Sequence, residues 1–287
     1  MLAWLIYYRD SAIYNQRYIE FYIVEGRKLG ITVRLILVEE LDFGVQEGEW
    51  YLKYSGEEQL SYPAFVICRA IYPLLSRHLE AMGIRVFNNA FLSEVCNDKA
   101  RTYQYLAKTG IRMVDTSFCQ HDLLKEAIGR ISAPTVLKAV DGHGGGQVFL
   151  LDAHSTEEER RRVIEGIAGS DAVLQPLIGH RHQDLRVYVI GKEIIAAVLR
   201  TAKEGFKSNF SLGGEVRLYE LSDEEKKLVR LVISQFEIGL VGIDFIIGDE
   251  GELIFNEIED VVGSRMLYRC SDINIVEKYF SYILSQI

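Results

Sequence analysis

Three carboxylates, Asp244, Glu257 and Glu259, sit within VGIDFIIGDEGELIFNEIED, residues 241 to 260. This stretch reads as two strands joined by Gly248-Asp249-Glu250-Gly251, a loop rich in turn formers. Side chains alternate between strand faces, so Glu257 and Glu259 point the same way, roughly 6–7 Å apart. With Ile247 paired to Glu252, Asp244 falls opposite Phe255 and diagonal to Glu257, and the three carboxylates converge on one patch of sheet. A slip of one residue would move Asp244 to the other face. Clustered carboxylates repel one another unless a hard cation lies between them, and oxygen ligands of this kind suit Mg²⁺ holding substrate phosphates. The competing reading is an acidic edge strand kept soluble by its charges. Val241, Ile243, Phe245, Ile254 and Ile258, which would bury the opposite face, argue against it.

Other residues suit an anionic ligand. Gly142, Gly144, Gly145 and Gly146, between two apolar runs, let backbone N–H groups approach an anion with no Cβ in the way. The pattern is not G-x-G-x-x-G, because position 147 is Gln and no helix follows, and no Gly-Lys-Ser/Thr makes it a P-loop. A glycine loop between strands suits a flap closing over phosphates, and a plain hairpin loop accounts for it nearly as well. Lys138 lies in the apolar strand Pro134-Thr135-Val136-Leu137-Lys138 just before the loop. A buried ammonium is expensive without an anion, so it needs a phosphate or an internal carboxylate. Asp184 and Arg186 share one face of Asp184-Leu185-Arg186-Val187-Tyr188, where a planar guanidinium suits carboxylate or phosphoryl oxygens. A structural Asp–Arg pair is the alternative. Lys99, at a helix start, is uninformative alone. Lys207-Ser208-Asn209 is a polar triplet in a turn-rich stretch, of the kind that contacts ligand.

These residues need elements to hold them. Residues 2–7 read as a strand, 9–16 as a polar loop, and Tyr18, Phe21, Tyr22, Glu25 and Leu29 as a helix stopped by Gly30. Residues 31–38 and 64–69 read as strands, with 50–54 an edge strand between them. A helix opens at Pro73 and closes at Gly83, and 84–87 is strand again. The alternation predicts a mostly parallel α/β sheet over roughly the first ninety residues. Asn97 or Asp98 caps a helix stopped by Gly110. Strands follow at 135–139, 148–151 and 173–177, with a charged helix over 155–168. A hairpin spans 186–190 and 194–200. Ser222 and Glu225 form a capping box before a stripe of Leu228, Leu231, Val232 and Phe236. A last helix covers 273–287.

The chain has 287 residues, 48% apolar and 25% charged, as for an ordinary globular protein with room for two or three lobes. A net charge of −9 argues against nucleic acid as the main partner. Cys68, Cys96, Cys119 and Cys270 form no C-x-x-C pair and read as reduced thiols. His180 and His182 read as part of a solvated loop. No apolar run approaches the ~20 residues that cross a bilayer, and residues 2–8 are too short for the core of a signal peptide. The expectation is a cytoplasmic protein.

Taken in chain order, these pieces resemble the ATP-grasp superfamily, most closely its RimK-like carboxylate–amine ligases. The likeness runs from about Asn97 to Met266, through NDKARTYQYLAKTGI, PTVLKAVDGHGGGQVFLL, VLQPLIG, QDLRVYVIGKEIIAAVLR, FKSNFSLGG and VGIDFIIGDEGELIFNEIE. It implies an α/β fold, α+β in its ATP-grasp lobes. A parallel α/β pre-ATP-grasp domain would cover 1–96, a central lobe with the glycine-rich flap 97–183, and a lobe with the metal-binding carboxylates 184–287. Lys99, Lys138 and Lys207 would contact ATP phosphates beneath the Gly142–Gly146 loop. Gln175, Pro176, Leu177 and Ile178 would form the hinge beside adenine, with Asp184 near the ribose. Asp244, Glu257 and Glu259 would hold a pair of Mg²⁺ ions, with Mn²⁺ as a substitute. Arg186, Arg200 and Asn209 would stabilise charge on the transferring phosphoryl group and on an acyl phosphate.

The implied reaction joins the carboxylate of an amino acid or peptide to an amine. No nucleic acid or membrane partner is implied, and a homo-oligomer is left open. The chain departs from the pattern in three places: Glu259 where Asn is usual, Lys207 where Arg is usual, and Asp260 to Arg265 in place of a Ser-Pro-Gly stretch. That last segment would border the acceptor site, where Arg265 could grip a substrate carboxylate and Tyr14 and Asn15 could line the same pocket. A non-catalytic ATP-binding scaffold is the rival, opposed by the retained Lys99, Lys138, Arg186 and all three carboxylates. A nicotinamide-dependent oxidoreductase rests on the glycine loop alone.

Overall fold

The computed structural model describes residues 1–57, 60–167, 169–201 and 215–287. Lys207 and Asn209 lie outside the described residues.

The N-terminal region is built on β1 (Leu2–Tyr7), LAWLIY, whose last five residues are all buried. Burial on both faces is what a central parallel strand needs. It is followed by α1 (Arg9–Tyr14), α2 (Gln16–Lys28), β2 (Thr32–Leu37), β3 (Leu41–Gln46), β4 (Glu49–Tyr54), β5 (Phe65–Cys68), α3 (Pro73–Ala81), β6 (Arg85–Phe87) and α4 (Ala90–Cys96). The parallel sheet has the order β2-β1-β5-β6. Two local expectations need correction. Residues 9–14 form helix α1 rather than loop, because the Glu39 carboxylate accepts from the Arg9 N–H at 2.9 and 3.1 Å. An anion at a helix start compensates the positive dipole end, and this one comes from a distant segment. Residues 49–54 pair with β3 in a separate antiparallel hairpin, not with the edge of the parallel sheet.

The middle region comprises α5 (Lys99–Leu106), β7 (Ser117–Cys119), α6 (Leu124–Gly129), β8 (Thr135–Ala139), β9 (Val148–Leu151), α7 (Glu157–Ile167) and β10 (Ala172–Pro176). Asp98 caps α5 by accepting from the Arg101 N–H. The strands form an antiparallel sheet, β7-β10-β8-β9.

The last region holds β11 (Gln183–Ile190), β12 (Glu193–Thr201), β13 (Glu215–Tyr219), α8 (Asp223–Ile233), β14 (Leu240–Ile247), β15 (Leu253–Glu259), α9 (Arg265–Cys270) and α10 (Ile275–Gln286). Its antiparallel sheet has the order β13-β12-β11-β14-β15. Period-two alternation divides it cleanly. Leu185, Val187, Val189, Leu199, Ile243, Phe245, Phe255 and Ile258 form a core with Tyr103 and Leu106 of α5 and Val229 and Val232 of α8. The opposite face carries the charges described below. The capping box of α8 is complete, but its buried stripe is Val229, Val232 and Ile233, with Leu228, Leu231 and Phe236 half-buried at its margin.

A continuous core joins the first and last regions, packing Leu5, Tyr22 and Phe65 with Tyr188, Val262 and Phe280. Asn88 locks the seam. Its side-chain oxygen accepts from the N–H groups of Gly239 (2.7 Å) and Leu240 (2.9 Å), and its nitrogen donates to the Leu240 carbonyl (2.8 Å) and the Asp260 carboxylate (2.5 Å). It thus ties the start of β14 to the end of β15. A Cβ at Gly239 would meet the Asn88 oxygen at 2.5 Å and the Tyr279 hydroxyl at 2.9 Å. Gly239→Ala is therefore expected to cost about 1–3 kcal/mol of stability, through overpacking and lost hydrogen bonds. An unchanged chemical-denaturation midpoint would show that the amide can give way without loss.

Candidate active site

The acidic hairpin brings its carboxylates together, though not in the expected register. Ile247 pairs with Leu253, and a bulge at Asp244/Phe245 leaves Asn256 as the extra residue of β15. Asp244 consequently lies directly opposite Glu257 rather than Phe255, and Phe255 opposes Phe245. The bulge also takes Ile254 out of the apolar cluster that holds Ile258. Bulges re-aim side chains in this way, and simple alternation does not foresee them. One oxygen from each of Asp244, Glu257 and Glu259 falls within 4.8 Å of the others.

Two arginines from the neighbouring strands cross this patch. Arg186 donates Nε to Asp244 Oδ1 (2.7 Å) and Nη2 to Oδ2 (2.6 Å), and its Nη2 also lies 2.6 Å from Glu259 Oε1. Arg200 bridges Asp244 and Asp184, with Nη2 at 2.7 and 2.8 Å from their Oδ2 atoms. Both arginines are buried, 6% and 4% exposed, so the acids are needed to hold them. Burial alone would raise the Asp244 pKa, but the two guanidiniums outweigh it and hold the group at about 2. Burial pushes Asp184 up despite Arg200. It also pushes Glu259 up, opposed by Arg186 and reinforced by Asp244 and Glu257.

Lys99 and Lys138 approach the patch from the middle region. Lys99 Nζ donates to the Gly142 carbonyl (2.6 Å) and stands 3.6 Å from Glu257 Oε2. Lys138 Nζ donates to Asn256 Oδ1 at 2.7 Å, so its nearest partner is a neutral amide exposed by the bulge. Burial lowers the Lys138 pKa to about 8, with Glu257 opposing the shift. Phosphate binding would raise that pKa again, so affinity for a nucleotide triphosphate is expected to fall as the pH rises through about 8. Lys138→Arg, which stays charged, should flatten the decline. Calorimetry on either side of that pH checks this, and equal pH dependence in both proteins would contradict it.

The lysines, Asp184, Glu257 and Glu259 line a cleft of about 410 Å³ between the two antiparallel sheets, with Gly142, Gly144, Gly145, Gln175, Pro176, Leu177 and Ile178 also in its wall. Gly144 and Gly145 take positive φ values of 66° and 77°, a backbone that favours glycine. Gly146 is not part of the lining. Gln175 donates to the Thr116 hydroxyl at 2.8 Å. A second cavity of about 1040 Å³ adjoins the first and reaches Arg186, Arg200, Tyr14, Asn15 and Arg265. Arg265 donates to the Tyr14 hydroxyl at 2.6 Å and stacks on its ring at 4.3 Å, so these separated residues do meet. His180 is exposed and pairs with Asp249, away from the carboxylate patch.

Residues that the sequence reading passed over also take part. Asn256 holds Lys138, and its signal was present in the polar break it makes in the strand. Arg69 lines both cavities. It is the first polar residue after the buried strand β5, at the carboxyl end of a parallel sheet where ligands bind in open α/β folds.

A cleft of about 410 Å³ with two lysines, a glycine loop and hard-oxygen donors, opening onto a second pocket, is the layout of an ATP-dependent carboxylate–amine ligase. Residues 96–283 match the model of the RimK-like ATP-grasp domain, and the chain belongs to that family. It is 31% identical over 210 residues to a probable alpha-L-glutamate ligase of Legionella pneumophila, covering 72% of this chain and 69% of the relative. It is 30% identical over 248 residues to beta-citrylglutamate synthase B of Mus musculus, covering 81% and 63%. The fold is also that of the ATP-grasp ligase PsnB, solved with a variant precursor, Mg and ADP: TM-score 0.69, 17% identity, 98% and 97% coverage. The chain is thus an ATP-dependent ligase forming a carbon–nitrogen bond, of a class that uses ATP with Mg²⁺.

Proposed function

We propose that this ligase activates a carboxylate of an amino acid or peptide and joins it to an amine, with an acidic partner such as glutamate on one side. The placing of Glu257 and Glu259 on the wall shared by the two cavities, backed by Asp244, Arg186 and Arg200, carries this reading. The names of the two relatives, both of which specify glutamate, support the acidic partner.

ATP would lie in the smaller cleft, its adenine beside Gln175–Ile178 and Asp184 near the ribose. Lys99 and Lys138 would hold its phosphates under the loop of Gly142, Gly144, Gly145 and Gly146. Lys207 and Asn209 would contact the ATP phosphates and the acyl phosphate. Asp244, Glu257 and Glu259 offer hard oxygens that fit Mg²⁺, and Glu257 and Glu259, each 29% exposed at the side chain, are the ones open to the cleft. Bound Mg²⁺ would supply charge neutralisation across the phosphates. The surrounding charges fit such a load. Asp184, Asp244, Glu257 and Glu259 balance Arg186, Arg200, Lys99 and Lys138, so an ATP tetraanion with a pair of divalent ions adds no net charge. Arg186 compensates the extra charge of Glu259, where the family pattern has Asn.

In the first step a carboxylate oxygen attacks the γ-phosphorus, ADP leaves and an acyl phosphate forms. In the second the amine attacks the acyl carbon and phosphate departs. Arg186 and Arg200, already oriented by the acids, would stabilise the negative charge that grows in both steps, a task of positioning and preorganised charge. The division at 96/97 and 183/184 assigns one region to the acceptor side and two lobes to ATP. We place the protein in the cytoplasm; among the described residues no helix is long and apolar enough to cross a membrane. The test is ADP release with Mg²⁺-ATP over a panel of acids and amines, with product masses. Expected is ADP in step with an amide whose mass is acid plus amine minus water. Nucleotide binding without ADP across the panel would favour a non-catalytic ATP-binding role.

A further inference from the structure

Arg69 follows β5 and reaches the wall shared by the two cavities, together with Ser11, Gly144, Gly145, Glu257 and Glu259. Its guanidinium is held in place by the protein but is not neutralised by it. Nη2 donates to the carbonyls of Val262 (2.9 Å) and Val261 (3.4 Å), and the group packs over the rings of Tyr18 (5.2 Å) and Tyr7 (5.9 Å). Nε is buried and has no hydrogen-bond partner among the described residues. The Tyr7 hydroxyl, on a side chain 1% exposed and also lining the wide cavity, has its oxygen turned to Arg69 and no other polar partner among the described residues. Arginine has no acceptor, so the neighbouring guanidinium cannot take the Tyr7 proton.

No carboxylate among the described residues pairs with Arg69. Asp260 lies within its electrostatic reach, but the oxygens of that acid accept from Asn88 (2.5 Å) and Asn97 (3.0 Å). The other two arginines of the same cavity that form no ion pair among the described residues, Arg17 and Arg265, add to the excess of positive charge. Arg186 and Arg200 are by contrast already committed to Asp184, Asp244 and Glu259. A rigid, partly desolvated guanidinium beside a hydroxyl whose proton has no acceptor is a fork built for one planar anion.

We infer that Arg69, with the Tyr7 hydroxyl, anchors a carboxylate of the substrate in the wide cavity, one that is not the group activated by ATP. This rests on the reading of that cavity as the substrate pocket. Arg186 and Arg200 serve the reacting end, and Arg69 fixes the molecule from the N-terminal wall. The enzyme would thereby select acids that carry a second negative group.

Calorimetry on the full chain tests this, first with ADP and Mg²⁺, then with glutarate added to the Mg²⁺-ADP complex, for the wild type, Arg69→Gln and Tyr7→Phe. ADP affinity should stay within a few-fold in all three, well short of the effect on glutarate. Glutarate binding should weaken by about tenfold or more in Arg69→Gln and by a few-fold in Tyr7→Phe, as expected for hydrogen bonds to a charged group. With a turned-over acid, Arg69→Gln should raise KM while leaving kcat within a few-fold. Tyr7→Phe keeps the ring and the packing, so it decides the matter should Arg69→Gln fail to fold. Equal glutarate affinity in the wild type and the variants, or no glutarate binding to a wild type that binds ADP, would overturn the anchor. A wild type that binds no ADP would overturn the ATP-site reading itself.

Discussion

Glu257→Gln is expected to lower ADP release by about a hundredfold to a thousandfold while leaving the melting temperature nearly unchanged. The substitution keeps volume and one oxygen but removes a charge from the three-carboxylate patch, which in the proposed function would hold the Mg²⁺ that stabilises the transferring phosphoryl group. Folding should tolerate it, because the Glu257 side chain is 29% exposed and its ion-pair contact with Lys99 is long, 3.6 Å. The Mg²⁺ concentration needed for half-maximal activity should rise as well. Steady-state ADP assays across a Mg²⁺ titration measure both effects. Turnover close to wild type at ordinary Mg²⁺ would remove Glu257 from the metal set.

Arg186→Ala should be the more damaging change, and its effects have to be separated. It strips Asp244 of a two-nitrogen partner and Glu259 of its 2.6 Å contact, leaving buried negative charge with Arg200 as the remaining guanidinium. Breaking a buried pair on one side costs about 3–5 kcal/mol, so reduced stability is expected alongside lost turnover. Arg186→Lys resolves the two. It retains the charge but not the planar fork, so kcat should fall by about a hundredfold while ATP affinity stays within a few-fold. Equal losses in kcat and in ATP binding would make Arg186 a nucleotide-holding or purely structural residue.

Much of this arrangement was legible in the sequence because it depends on short-range patterns. Alternation in residues 241 to 260 placed the acids on one side and Val241, Ile243, Phe245 and Ile258 on the other, and the capping box of Ser222 and Glu225 marked its helix unambiguously. What escaped depends on long-range contacts. The bulge that sets Asp244 opposite Glu257 is a property of the paired strands and frees Asn256 to meet Lys138. Helix α1 depends on Glu39, some thirty residues further along the chain. The Asn88 lock spans more than 150 residues, and nothing near Asn88 in the sequence announces it. Arg69 was visible only as the last residue of an apolar strand; its lack of a counter-ion among the described residues emerges once the tyrosines and Val262 are packed around it.

The central claim is that a carboxylate oxygen attacks the γ-phosphorus of ATP at the Asp244–Glu257–Glu259 patch. It is tested most directly with an acid that supports turnover, its carboxylate labelled with oxygen-18, by mass analysis of the phosphate released. Passage through an acyl phosphate transfers one carboxylate oxygen to each phosphate, so singly labelled phosphate alongside ADP and the amide is the expected outcome. Unlabelled phosphate, or label recovered in AMP, would contradict the account.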